Sequence, residues 1–161
     1  MKPCVLFLFF FVFMGCHYSS ITLSPTKYSY VGQARTRQLD QENPQFDPAI
    51  TLKEIRQSIW SCKAVFEVQG WYSSYGLQAR SLRQIKWTQE VTGDQLTLTC
   101  YVEPKRGMGK ESAQVYGYNY KQEIVVKIPS TIHQLTVKLI EQNATQQDIV
   151  SYQSHVELDT K

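Results

Sequence analysis

Apolar and polar side chains alternate with a period of two through most of the chain after residue 62, and that alternation sets the expected fold class. Ala64, Phe66 and Val68 alternate with Lys63, Val65 and Glu67 as far as Gly70, which predicts a strand over 63–69. Ile85 and Trp87 alternate with Gln84 and Lys86. Beyond the turn at Thr92-Gly93-Asp94, Leu96, Leu98, Cys100 and Val102 fall on one face, so these two runs predict a hairpin. A polar loop over 103–112 precedes a strand over 115–120 that sets Tyr116, Tyr118 and Tyr120 on one side. Ile124, Val126 and Ile128 define another strand, stopped by Pro129, and Leu135, Val137 and Leu139 the next. After a turn over 143–148, Val150, Tyr152, Val156 and Leu158 carry the last alternation.

Ahead of residue 62 the pattern changes. Thr51-Leu52-Lys53-Glu54 has the spacing of a capping box, and Leu52, Ile55, Ile59 and Cys62 follow on one helical face, which predicts an N-terminal helix over 51–61. The alternative is an extended segment, because Thr51, Ile55 and Ile59 are β-branched. Residues 17–48 are rich in Ser, Thr, Gln, Asn, Asp and Pro, and read as a polar tether that ends at Asn43-Pro44 and Asp47-Pro48. The expected architecture is mainly β (α+β): an antiparallel sheet or sandwich of six or seven strands, with one helix in front.

The first sixteen residues change the picture from fold to address. Val5 to Met14 is an unbroken apolar run after Lys2, too short to cross a hydrocarbon core of roughly 30 Å, so 1–15 reads as a signal peptide. Phe13-Met14-Gly15-Cys16 resembles the lipobox of bacterial lipoproteins, in which the cysteine is acylated and becomes the new N-terminus. The resemblance implies lipidation at Cys16, a lipid-anchored tether over 16–48 and a single β-rich domain over 49–161. His17, where aspartate commonly marks inner-membrane retention, points to the outer membrane of a Gram-negative bacterium.

Of the four cysteines, Cys4 lies in the signal and Cys16 is the lipid site, which leaves Cys62 and Cys100. An exported chain matures in an oxidising compartment, so these two are expected to pair. A loop of about 38 residues would make the bridge worth roughly 3 to 4 kcal/mol, stapling helix to sheet.

Composition excludes more than it suggests. The 17 Lys and Arg against 14 Asp and Glu are scattered instead of forming a stripe, which argues against nucleic acid. His17, His133 and His155 lack ligand spacing, so no metal or other cofactor is expected. No hydrolase signature occurs, and no catalytic residue is assigned. Gly107-Met108-Gly109-Lys110 departs from a phosphate loop, since Glu111 follows the lysine; its cations Lys105, Arg106 and Lys110 would meet solvent, anionic lipid headgroups or an acidic partner. Tyr116, Tyr118 and Tyr120, with Trp71 and Tyr72, have the composition of a binding surface, though tyrosines on a half-buried strand are also ordinary sheet packing.

The strand ending in Gly70, then Trp87-Thr88-Gln89, the Gly93-Asp94 turn, Leu96-Thr97-Leu98 and the glycines at 107 and 109 resemble the outer-membrane lipoprotein-insertion factor LolB over 66–109. That resemblance implies an antiparallel sheet half-wrapped around an apolar cavity for acyl chains. Three functions follow as expectations. The first is a non-enzymatic envelope lipoprotein binding a protein or envelope polymer; the others are a carrier or chaperone for an apolar ligand, and an envelope inhibitor or small hydrolase.

Overall fold

The computed structural model describes residues 19–31, 36–39, 43–57, 62–74, 78–142 and 147–158. Residues 1–15, read above as a signal peptide, and Cys16 lie outside the described residues. Among those described, eleven strands form: β1 (Thr22–Val31), β2 (Thr36–Leu39), β3 (Ala49–Gln57), β4 (Cys62–Ser73), β5 (Gln78–Ser81), β6 (Lys86–Thr92), β7 (Gln95–Val102), β8 (Lys105–Lys110), β9 (Val115–Ile128), β10 (Gln134–Gln142) and β11 (Asp148–Glu157). They make a five-stranded sheet ordered β2-β1-β9-β4-β3, a four-stranded sheet ordered β11-β10-β7-β6, and a two-stranded ribbon of β5 and β8. The two larger sheets share one apolar core. Ala64, Phe66 and Val68 of β4 and Ile124 and Val126 of β9 belong to the same buried cluster as Leu96, Leu98 and Cys100 of β7 and Leu135, Val137 and Leu139 of β10. Each fully buried Leu, Ile or Phe contributes about 1.5 to 3 kcal/mol, so these stripes dominate the favourable side of folding.

The mainly β class is as expected, and five features differ. No helix occupies 51–57. That segment is the edge strand β3, antiparallel to β4, with a register shift between Leu52 and Glu54. Ile50 is buried and Leu52 packs on the core, whereas Ile55 is 42% exposed, so the burial period is two up to the bulge and the helical face of Leu52 and Ile55 does not exist. Residues 58–61 lie outside the described residues. Glu54, the acid of the supposed capping box, instead pairs with Arg56 at 2.7 Å on the surface. Strand pairing and β-branched side chains win over the local capping pattern.

The sheet order is mixed and not purely antiparallel. β7 and β10 run parallel, with Leu96 opposite Leu135, Leu98 opposite Val137 and Cys100 opposite Leu139. The alignment starts at the β6–β7 turn, where Gly93 takes φ +63° and the carbonyl of Asp94 accepts from the amides of His133 (2.9 Å) and Gln134 (3.2 Å). The two strands expected over 115–120 and 124–128 are one, β9, because Gln122 between them is buried and pairs like its neighbours. The supposed tether also joins the fold: β1 pairs with β9, from Thr22 opposite Lys121 to Lys27 opposite Val115.

The expected Cys62–Cys100 disulfide is absent; both are free thiols. Register supplies the reason. Cys62 opens β4 opposite Ile128, while Cys100 lies close enough to Tyr120 to interact electrostatically with its hydroxyl. Tyr120 and Ile128 are eight residues apart on β9, about 26 Å at strand rise, against the roughly 7 Å that a bridge tolerates between Cα atoms. The two cysteines sit at opposite ends of the core and on opposite sheets. Burial pushes the Cys100 thiol up to about 12, so it is inert as a nucleophile. In native chain 16–161 carrying Cys16→Ser, a thiol reagent is expected to modify at most Cys62. Both thiols should react in denaturant without prior reduction, and a native protein that shows no free thiol after denaturation would restore the bridge.

Candidate functional site

The tyrosines that alternation sets on one side go to three different places. Tyr120 is fully buried, and its hydroxyl donates to Glu141 Oε1 at 2.5 Å. Tyr118 donates to Glu111 Oε2 at 2.5 Å and stacks on Tyr72, with ring centroids 5.6 Å apart. Tyr116 lies against Tyr28 at 4.5 Å and Trp71 at 5.6 Å. Trp71 itself donates from Nε1 to Thr26 Oγ1 at 2.9 Å, across Gly117. With Tyr72 and Tyr120 buried and Trp71 clasping β1 to the sheet, these five residues do not form one exposed surface. Alternation correctly sets Tyr118 and Tyr120 on the Tyr72 side, and that side is the inside.

One end of the core is therefore polar. Glu141 continues the inward stripe of Leu135, Val137 and Leu139, an acid where an aliphatic side chain would be expected. Burial raises its pKa, opposed by hydrogen bonds from Tyr120 and Ser151. Tyr120 is held protonated by burial and by the neighbouring Glu141 charge. The Tyr72 hydroxyl is buried and has no hydrogen-bond partner among the described residues, although the Leu82 backbone lies close; burial pushes it up to about 12. Tyr118 is likewise shifted upward, by burial and then by Glu111. These phenols stay protonated throughout the neutral range.

Glu141 has a measurable signature. A carboxyl whose folded pKa is raised binds its proton more tightly folded than unfolded, so stability is highest in acid and falls as pH rises from the unfolded value, about 4.3, through the folded one. Glu141→Gln removes that loss and keeps an acceptor for Tyr120. In urea denaturation across about pH 4 to 8, wild type is expected to lose stability relative to Glu141→Gln as pH rises. A constant difference would mean that Glu141 titrates as an ordinary carboxyl.

Over this polar end lies the β5–β8 ribbon, within the region expected to be a loop. Arg80 Nη2 donates to the Pro104 carbonyl at 2.8 Å, and both Arg80 and Glu111 act electrostatically on Tyr72. Ser81 pairs with Lys105 and Arg80 with Arg106, then the register shifts before Gln78 meets Lys110. Two residues of β5 thus span four steps of β8. The excess is taken up by Gly107-Met108-Gly109: a side chain on Gly107 would press on the Ala79 backbone at 3.3 Å, and Gly109 has φ +92°, a conformation that L side chains rarely adopt. Met108 projects fully into solvent at 101% exposure, flanked by the exposed Lys105, Arg106 and Lys110. These three cations form no ion pair among the described residues, since Glu103 is taken by Lys86 at 3.0 Å and Glu111 by Tyr118. Arg106 is the register partner of Arg80 across the ribbon. The ribbon therefore concentrates positive charge around an exposed methionine.

Among the described residues no cluster of three His, Cys, Asp or Glu could hold a metal ion. His155 bonds Thr136 at 2.9 Å on the outer face of the four-stranded sheet, away from the polar end. Residues 66–109, the stretch read above as LolB-like, run from β4 to β8 and are distributed over all three sheets. Comparison with protein-family models, curated proteins and solved structures finds no significant match to this chain.

Proposed function

We propose that this chain is an exported cell-envelope lipoprotein, acylated at Cys16, whose β domain binds a partner without performing chemistry, and whose contact element is the β5–β8 ribbon. The cations that the ribbon gathers around Met108 support this reading. The carboxylates at the polar end, Glu111 and Glu141, are each committed to a tyrosine hydroxyl, which leaves them poorly placed for acid/base work. The outer-membrane location rests on His17, and acylation on the sequence around Cys16. Two or more acyl chains make anchoring stable, whereas one is marginal.

Two measurements test the reading. Intact mass of the membrane-extracted protein should carry acyl chains that Cys16→Ser loses. A photo-crosslinking residue at Met108 in intact envelopes should form adducts that fall when Lys105, Arg106 and Lys110 are neutralised, while the same residue at Thr88 on β6 should form few. Equal yields at both positions would remove the ribbon as contact element.

A further inference from the structure

We infer that the β5–β8 ribbon seats on an anionic bilayer surface, with Lys105, Arg106 and Lys110 among the headgroups and Met108 at their boundary with the acyl chains. This rests on the ribbon being the contact element, and adds what it contacts. Three observations carry it. The bulge is built to expose one apolar side chain between cations, the amphipathic arrangement that suits a lipid interface. A protein hot spot would more often be an aromatic or Arg anchor filling a pocket.

The second observation is charge: Lys105, Arg106 and Lys110 are exposed on one strand and have no acidic partner among the described residues, so an anionic surface supplies the missing counter-charge.

The third is where the chain leads. Gln122 is buried at the mouth of the core; its Nε2 donates to the Ser19 carbonyl at 3.0 Å and its Oε1 accepts from the Ile85 amide at 2.7 Å. Ser19 and the segment leading out of β5 are thus held by one side chain. Cys16 lies three residues before Ser19, at most about 10 Å of extended chain. An acylated Cys16 would place the bilayer on the side of the molecule where the chain leaves β5, at the Ser81–Lys105 end of the ribbon.

The test uses chain 16–161 with Cys16→Ser, which contains all eleven strands and carries no acyl anchor. Vesicles of phosphatidylcholine, with and without phosphatidylglycerol, are sedimented with this protein. It should bind the phosphatidylglycerol vesicles in a salt-dependent way and leave the neutral ones in solution. Neutralising Lys105→Gln, Arg106→Gln and Lys110→Gln together should weaken binding about 100-fold, at roughly fivefold per cation. Met108→Ser should weaken it severalfold with the salt dependence unchanged. A control triple at the exposed Lys27, Lys63 and Lys127 removes the same charge elsewhere and should have little effect. Equal loss in the control triple would assign binding to net charge and overturn the inference, as would equal binding to neutral vesicles. Absence of vesicle binding together with protein adducts at position 108 would also overturn it, while leaving the ribbon as contact element for an acidic protein.

Discussion

Replacing Gly117 by alanine is expected to destabilise the domain by about 3 kcal/mol or more and to lower Tm by about 10 °C. A Cβ built at Gly117 meets Trp71 Cζ2 at 2.3 Å, Trp71 Cε2 at 2.4 Å and the Tyr72 carbonyl oxygen at 2.5 Å. None of the three can retreat cheaply. The carbonyl is backbone inside the β4–β9 pairing, where Ser73 sits opposite Gly117. The indole is pinned at its far end by the bond to Thr26, itself fully buried and opposite Gly117 on β1. Gly117 is the trough through which Trp71 reaches across β9 to hold β1. The variant should therefore also loosen β1, read as faster amide exchange at Leu23, Ser24, Thr26 and Lys27. Adding Trp71→Phe relieves only the ring contacts and should leave part of the loss, because the Tyr72 oxygen remains. A urea unfolding free energy within about 1 kcal/mol of wild type for Gly117→Ala would refute the clasp.

The same clasp explains why β1 is not legible in the sequence. Its pairing residues, Thr22 to Lys27, include serine, proline and lysine, and read locally as linker. What fixes them is distant: Trp71, bonded to Thr26, and Asn43, whose side chain donates to the Pro25 carbonyl at 2.8 Å and accepts in turn from Asn119 at 3.1 Å. β7 is legible because its signal is local, with four inward residues in alternation after a glycine turn. β3 reads as a helix because a bulged edge strand at 52–54 shifts the period from two towards helical spacing. The disulfide follows only from compartment and cysteine count, which contain no register. At the candidate site, sequence shows the glycines and the cations; that they form a bulged strand depends on Ala79 and Arg80, some 25 residues earlier. Glu141 is visible as an acid ending an apolar stripe, a signal that alternation passes over because it marks where apolar residues fall.

Gly70→Ala is expected to destabilise by about as much as Gly117→Ala, and its pattern of rescue distinguishes filling from flexibility. The absent Cβ would sit 2.3 Å from Tyr120 Oη, 2.6 Å from Tyr120 Cζ and 2.8 Å from Glu141 Oε1. Gly70 lies opposite Tyr120 in the β4–β9 register, so the phenol lies over it and reaches Glu141 on the other sheet. Only a residue without a side chain leaves that passage open. Tyr120 is fully buried and cannot swing aside, so the variant must displace either the ring or the sheet. Tyr120→Leu alone should cost about 2 to 4 kcal/mol, through lost packing and the loss of its hydrogen bond to Glu141. In the double variant the shorter leucine vacates the space that the new methyl needs. Gly70→Ala/Tyr120→Leu should then lose at least about 1 kcal/mol less than the sum of the single losses, as coupled neighbours do. Simple additivity would mean that the glycine between Val68 and Tyr72 on the inward stripe of β4 is required for backbone conformation and not for the passage of Tyr120.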